Sequence, residues 1–201
     1  MHDRNFPTTA KALGRPSVCA NAGFTLIEVM VTLSVLGALI AVAAPSITKL
    51  ILDNRIRSQA SDLMASLAIA RSESAKQGVR VTVCTSTTYA ASPPSCNGGG
   101  SNSWKSGYIL FTDVNANGVF DAGTDTLLRI GEPLSGGNTL ISTGFAAPAA
   151  PDNIQFRPSG NTNLPAAGGF FTLCDSRTGG NFGRKITLGV TGRTVSSAFS
   201  C

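Results

Sequence analysis

The chain has 201 residues and a formal net charge of +5, which is enough length for one domain with a hydrophobic core and too mild a charge to name a partner. Its 22 glycines, together with many serine, threonine and asparagine residues, favour a β-rich domain with long loops rather than an all-helical one. With a single histidine, His2, and no glycine loop followed by Lys-Ser or Lys-Thr, the sequence lacks the residue sets typical of hydrolases and nucleotide-binding enzymes. We therefore predict neither catalysis nor a cofactor.

The most distinctive stretch is an apolar run near the amino terminus, residues 24–44. No side chain between Glu28 and Lys49 carries a formal charge. A helix over 24–44 would be about 32 Å long at roughly 1.5 Å per residue, enough to cross a hydrocarbon core of about 30 Å. A charged group near the middle of a bilayer costs about 2.5–3.5 kcal/mol, so a glutamate inside the leading turn of this run predicts a functional role for it.

Two ordinary interpretations compete for this run. A secretory signal peptide would use Arg4, Lys11 and Arg15 as its charged region and the small residues 41–43 as its cleavage site. A plain membrane anchor is the second. Neither interpretation explains why a glutamate, Glu28, lies within the apolar run.

The hexad Gly23-Phe24-Thr25-Leu26-Ile27-Glu28, followed by the apolar run and Pro45, resembles the cleavage site and first helix of type IV prepilins and type II secretion pseudopilins. This resemblance implies that prepilin peptidase removes the leader 1–23 after Gly23 and methylates the new amino terminus at Phe24. It also implies that residues 24–44 remain as a single-pass anchor in the inner membrane, with the domain in the periplasm. In a filament, Glu28 is then expected to meet the amine of Phe24 on a neighbouring subunit, because unlike charges attract strongly at low dielectric.

Beyond Pro45 the apolar residues Ile47, Leu50, Ile51, Ile56, Ala60, Leu63, Met64, Leu67 and Ala70 keep a spacing of three and four, which predicts one buried helical face. Pro45 is expected to kink the helix rather than end it, and Gly78 to stop it. We thus predict one long helix, with a membrane half at 24–44 and an amphipathic half at 45–78, followed by a β-rich domain at 79–201.

From Val79 the apolar period changes to two, which is typical of half-buried strands. Clusters of glycine and asparagine separate the segments, and the last two read as a hairpin joined at Gly192-Arg193. The predicted fold class is α+β, a long amino-terminal helix packed on a small antiparallel β-sandwich. The strand candidates are 79–83, 108–112, 126–130, 138–142, 153–156, 170–174, 185–191 and 194–199.

Four stretches resemble the GspH/FimT class of minor pilins and pseudopilins. This resemblance implies a structural subunit, not an enzyme, that acts in filament assembly or at a filament tip together with other minor and major pilins. It leaves open whether the filament is a type II secretion pseudopilus or a type IV pilus. The stretches are Ala70-Arg71-Ser72-Glu73-Ser74-Ala75, Trp104 to Tyr108 with Phe111-Thr112-Asp113, Phe156-Arg157-Pro158-Ser159-Gly160, and the segment from Cys174 to Cys201.

Four cysteines remain once the leader with Cys19 is removed: Cys84, Cys96, Cys174 and Cys201. An even number in an exported domain predicts disulfides, and four cysteines allow three connectivities. We expect the nearest-neighbour pairing, which would close a loop rich in proline and glycine and pin the chain terminus. No Cys-x-x-Cys spacing is present, so we predict no metal site.

Residues 113–121 offer oxygen ligands at alternate positions followed by Gly118, as the calcium loop of an EF-hand begins. The twelfth position is Thr124 instead of a glutamate, and the flanks read as strands. A turn between strands, in which asparagine and glycine tolerate positive φ, is the simpler interpretation.

The carboxy-terminal region is basic, and its cations could contact phosphates. Some FimT-like minor pilins bind DNA during natural transformation through a Gly-Arg-x-Arg motif in a terminal hairpin. Here Gly192-Arg193 keeps the first arginine, but Val195 stands in place of the second. DNA binding is therefore the alternative function, with Arg177, Arg184, Lys185 and Arg193 as the candidate contacts.

Overall fold

The computed structural model describes residues 23–98, 102–145 and 153–201, so most of the predicted leader 1–23 lies outside the described residues. The chain divides into two compact units, one ending at Pro45 and the other comprising Ser46–Cys201. One helix, α1, extends over Leu26–Gln77, with Pro45 inside it. Among the described residues, it is the one helix long and apolar enough to cross a membrane.

Within the second unit, α1 buries one face against the sheets. The apolar members of that face recur every three or four residues, as one side of a 3.6-residue period requires. The helix ends where Gly78 adopts φ 70° and donates its N–H to the Ser74 carbonyl, a left-handed cap that other residues adopt with strain. The buried residues are Ile56, Ala60, Leu63, Ser66, Leu67, Ala70 and Ser74.

The predicted buried face is wrong at its beginning. Ile47, Leu50 and Ile51 keep the expected spacing, but their side chains are more than half exposed. The buried face of α1 begins only at Ile56, and Asp53 is the first helix residue to form an ion pair with the β-domain. Periodicity identifies an apolar stripe, whereas burial also requires a partner surface.

In the described part of the chain, eight strands form two four-stranded antiparallel sheets, so the predicted fold class is confirmed. The first sheet has the order β3-β2-β1-β5, and the second has the order β4-β6-β7-β8. The predicted carboxy-terminal hairpin is present, because β7 pairs with β8 from Leu188 and Thr194 outward. The strands are β1 (Arg80–Thr85), β2 (Tyr108–Asp113), β3 (Leu127–Gly131), β4 (Thr139–Thr143), β5 (Asn153–Phe156), β6 (Gly169–Cys174), β7 (Gly183–Leu188) and β8 (Thr194–Phe199).

The main core lies between α1 and both sheets. Trp104 is fully buried and meets the Phe171 ring edge-on at 5.1 Å between centroids, an arrangement that aromatic pairs favour. Beside it, the Tyr108 hydroxyl lies 2.8 Å from the Ser66 hydroxyl, and burial raises the pKa of Tyr108 to about 12. The helix and the two sheets are thereby joined through one contiguous cluster.

A smaller cluster covers the opposite face of β1 and β2. Cys84, Ile109 and Phe111 are fully buried there, and the loop side chains Tyr89, Cys96 and Phe120 pack over them together with Leu127 of β3. Both faces of this sheet are therefore covered, which explains why every residue of β2 is buried.

Candidate functional sites

The first candidate site is the start of α1, where Thr25 precedes the helix. The Thr25 hydroxyl accepts the N–H of Glu28 at 3.3 Å, and the Thr25 carbonyl accepts that of Val29. A threonine followed three residues later by a glutamate is the sequence of a capping box, and a carboxylate in the first turn also favours the helix dipole. Local structure thus accounts for a glutamate in the first turn, although it does not account for the apolar run behind it.

Glu28 has no ion-pair partner within residues 23–98, 102–145 and 153–201. The neighbouring apolar side chains are exposed as well, Phe24 at 83% and Leu26 at 80%. The exposed apolar surface continues along α1 as far as Ile51. No described residue pairs with this charge or covers this large apolar surface, and such an exposed patch is typical of an interaction or membrane surface.

The four cysteines of the domain form the expected nearest-neighbour pairs. Cys84 is bonded to Cys96, which ties the loop after β1 over the smaller cluster. Cys174 is bonded to Cys201, which ties the carboxy terminus to the end of β6.

The loop after β2 is organised by Asp113, which is fully buried. Its Oδ1 accepts the backbone N–H of Asn117, and its Oδ2 accepts the N–H of Gly118 and hydrogen bonds from the Thr82 hydroxyl and the Gln155 amide, all at 2.7–3.0 Å. Both oxygens already have protein donors, so they are not arranged to bind calcium. Within the described residues, no group of three acidic, histidine or cysteine side chains could hold a metal ion. The turn interpretation is therefore the one that the structure supports.

Of the four predicted DNA contacts, Arg177 is largely buried and ion-paired, with 16% of its side chain exposed. Its guanidinium lies 2.8 Å from Asp53 and 2.6 Å from Asp175, and it stacks 4.4 Å from the centroid of the Phe182 ring. Burial alone would raise the pKa of Asp175, but the hydrogen bonds and charge of Arg177 outweigh burial and hold that pKa below its usual range. Arg177 thus connects α1 to the segment after β6, and its charge is largely neutralised.

Arg184 and Lys185 are adjacent on β7, so the pleat directs their side chains to opposite faces of the sheet. The Lys185 ammonium lies 4.0 Å from the centroid of the Phe170 ring. Arg184 instead lines a cleft together with Arg57 and Phe182. The two cations therefore do not contribute to one surface.

Arg193 lines a different cleft, and its cationic neighbour there is Arg71 of α1. The sequence does not pair these residues, since they are separated by more than a hundred positions and belong to different elements. Two of the stretches that resemble GspH/FimT proteins, 70–75 and 156–160, meet in this cleft. Both turns that line the cleft contain a glycine with positive φ, Gly160 and Gly192.

Two crystal structures of the type IV minor pilin FimU of Pseudomonas aeruginosa, strain PAO1, are similar to this chain. The first is 20% identical, the match covers 72% of this chain and 89% of that chain, and the TM-score is 0.50. The second is also 20% identical, with 70% and 91% covered and a TM-score of 0.48. At this identity, the first likeness establishes the fold alone. No curated protein sequence matches the chain.

Two sequence families match the chain itself. The prokaryotic N-terminal methylation motif matches residues 19–44, the segment that contains Gly23, Phe24, Glu28 and the apolar run. The family described as type II transport protein GspH matches residues 59–192, about two thirds of the chain, from the buried face of α1 to the turn before β8. The chain therefore belongs to the GspH family of minor pilins and pseudopilins and carries an N-terminal methylation motif.

Proposed function

We propose that this chain is a structural subunit of a type II secretion pseudopilus or a type IV pilus, acting in filament assembly or at the filament tip. Prepilin peptidase cleaves after Gly23 and methylates Phe24. Residues 24–44 anchor the subunit in the inner membrane, and the β-rich domain lies in the periplasm. The subunit then joins other minor and major pilins in the filament.

The observation that carries this proposal is the methylation motif over an apolar segment that no described residue covers. The Glu28 carboxylate has no ion-pair partner in the described part of the chain, and large apolar side chains around it are exposed. Packing such helices side by side removes the apolar surface from contact with lipid and water. An amine at Phe24 of a neighbour removes the cost of the isolated carboxylate.

Mass spectrometry of the mature amino terminus tests the proposal directly. The full chain is produced in cells with and without prepilin peptidase, and the terminal peptide is sequenced. We expect a methylated Phe24 when the peptidase is present and the unprocessed chain when it is absent. A mature chain that begins at Ala44 or Pro45 in both strains would show cleavage by signal peptidase and would contradict the proposal.

A gene deletion separates the two kinds of filament. Loss of secreted enzymes from the medium with intact surface pili indicates a secretion pseudopilus. Loss of surface pili with normal secretion of enzymes indicates a pilus.

We do not extend the proposal to DNA capture. Arg177 is already ion-paired, and Arg184, Lys185 and Arg193 lie on separate surfaces.

A further inference from the structure

Three segments that are far apart in the sequence meet in a cleft of about 560 Å³. They are the last turns of α1, the turn after β5 and the beginning of β8. We call it the Arg71–Arg193 cleft and define it by Arg71, Ser72, Ser159, Arg193 and Thr194. Two arginines and three hydroxyl-bearing residues thus line one concave surface. The Ser72 hydroxyl already donates to the Ile69 carbonyl at 2.9 Å, so the two guanidinium groups are the principal donors of the cleft.

Two glycines with positive φ make room for Arg71. A Cβ at Gly160 (φ 79°) would lie 3.3 Å from Arg71 Nε. A Cβ at Gly192 (φ 73°) would lie 3.3 Å from the same atom and 2.6 Å from the Gly160 carbonyl oxygen. The N–H of Thr162 donates to the Val190 carbonyl at 2.7 Å and holds the two loops together. The backbone geometry therefore places Arg71 directly against both turns.

The charges in this cleft are not neutralised by an ion pair with any residue that the structure describes. Neither Arg71 nor Arg193 forms an ion pair with any described residue, whereas Lys76, Arg129 and Arg177 do. Both unpaired arginines are exposed. Two positive charges brought together without an acid are unfavourable by themselves, so an anion in the cleft would be attracted to both.

Guanidinium forks recognise carboxylates and phosphates by paired hydrogen bonds. A nucleic-acid strand would need aromatic rings for its bases and a continuous cationic track, and no aromatic side chain lines this cleft. The other unpaired arginines near β7, Arg57 and Arg184, line a separate cleft. Arg57 and Arg71 are about 21 Å apart along α1 at roughly 1.5 Å per residue. The cleft therefore fits one compact anionic group better than a phosphate backbone.

We propose that the Arg71–Arg193 cleft binds an acidic side chain of a neighbouring subunit in the filament. This inference rests on the proposed function for the identity of the partner, but not for the chemistry of the site. Because the cleft and the acid belong to different surfaces, the contact is heterologous and can repeat along an open helical assembly.

Binding is tested with the mature full chain in detergent micelles at low salt. The probe is an N-acetylated tetraglutamate peptide carrying a fluorophore, followed by anisotropy, with tetraglutamine as the neutral control. We expect Arg71→Gln and Arg193→Gln each to weaken tetraglutamate binding about fivefold or more, since each removes a charge-assisted pair. The matched control Arg57→Gln is expected to change it less than about twofold. Thermal unfolding of each variant verifies that the domain is folded.

A second arm uses a 20-nucleotide single strand in place of the peptide. The oligonucleotide is expected to depend less on the two arginines than the peptide does. If Arg71→Gln and Arg193→Gln weaken oligonucleotide binding more than they weaken peptide binding, the cleft is a nucleic-acid site and the proposal is overturned. Equal binding of tetraglutamate by all three variants overturns it as well.

Measuring incorporation into filaments in cells distinguishes failure of this inference from failure of the proposed function. Arg71→Glu is expected to lower incorporation of the subunit into the filament fraction while leaving the methylated Phe24 terminus intact. Normal incorporation of this variant, with correct processing, would overturn the cleft inference alone. An amino terminus other than Phe24 in the parent chain would overturn the proposed function, although peptide binding by the cleft could still be measured.

Discussion

Asp113 is a buried acid whose carboxylate holds a turn together. Four donors from the loop, β1 and β5 converge on its two oxygens. Asp113→Ala leaves these buried donors without acceptors, at a cost of about 1–3 kcal/mol for each poorly satisfied group, so we expect a loss of about 3 kcal/mol in the free energy of unfolding. Urea denaturation of the full chain measures it.

The control for this substitution is Asp121→Ala in the same loop. Asp121 is only partly buried, and the amides of Asn115 and Asn117 that donate to it are near solvent. We expect a loss below about 1 kcal/mol there. Equal losses for the two variants, or a rise in Tm on adding millimolar calcium, would contradict the turn interpretation.

Asp175 makes stability depend on pH. Its folded pKa is lowered by Arg177, so its contribution is fully present above its ordinary value of 3.8. That contribution is lost as the pH falls through the lower folded pKa, because protonation then breaks the ion pair. We expect the Tm of the unmodified chain to fall below pH 4 and the Asp175→Asn variant to show a flatter acid limb. Glu132→Gln, an exposed acid with no ion pair among the described residues, should retain the full slope.

At the scale of the elements, the sequence predicts most of the architecture. Each of the eight strand candidates overlaps an observed strand, because alternation and the glycine clusters between strands are both local signals. The ends are less well determined. The seventh candidate, 185–191, is observed as Gly183–Leu188, since the Gly189–Gly192 turn begins earlier than the apolar pattern suggests. Sheet order is not a local property, and the sequence pattern alone does not contain it.

Strand β8 depends on the Cys174–Cys201 disulfide. It lies at the edge of its sheet and most of its residues are exposed, so pairing with β7 and the crosslink are what retain it. Removing a crosslink across 27 positions costs about 3–4 kcal/mol in the chain-entropy model. We expect Cys174→Ala/Cys201→Ala to lose this amount and to exchange the amides of β8 faster.

Hydrogen exchange locates that effect. The matched variant Cys84→Ala/Cys96→Ala loses the crosslink between β1, in the other sheet, and the loop that follows it, a separation of 12 positions. Removing this crosslink should lower the free energy of unfolding by about 3 kcal/mol. Once that global loss is taken into account, the amides of β8 should exchange no faster than in the parent chain. Faster exchange in β8 from both variants alike would show that the strand is not held locally by its own disulfide.

At the scale of the molecule, candidate sites differ in how far the sequence reveals them. The start of α1 is a contiguous motif, so Gly23, Phe24 and Glu28 are recognised together. The Arg71–Arg193 cleft is assembled from three distant segments, and its arginines become neighbours only when α1 packs beside the two turns. From the sequence, Arg177 is likewise a candidate for binding an external anion, but in the fold its charge is neutralised by Asp53 and Asp175.

The separation of the chain into two units yields a last prediction about Glu28. The buried core lies entirely in the second unit, and Glu28 belongs to the first. Glu28→Leu should therefore leave the Tm of the domain and the cleavage after Gly23 unchanged. It should nevertheless lower incorporation into filaments about tenfold, which corresponds to losing roughly 1.4 kcal/mol of the pairing that a carboxylate in apolar surroundings gains.

Quantitative immunoblotting of sheared filaments against membranes measures that ratio. Glu28→Gln keeps the shape but not the charge and should be impaired similarly, whereas Ile27→Leu, a neighbouring apolar change, should assemble normally. If Glu28→Leu assembled at the parent rate with a correct Phe24 terminus, the carboxylate would act only locally, as a negative charge in the first turn of α1, and subunit register would have to come from the β-rich domain.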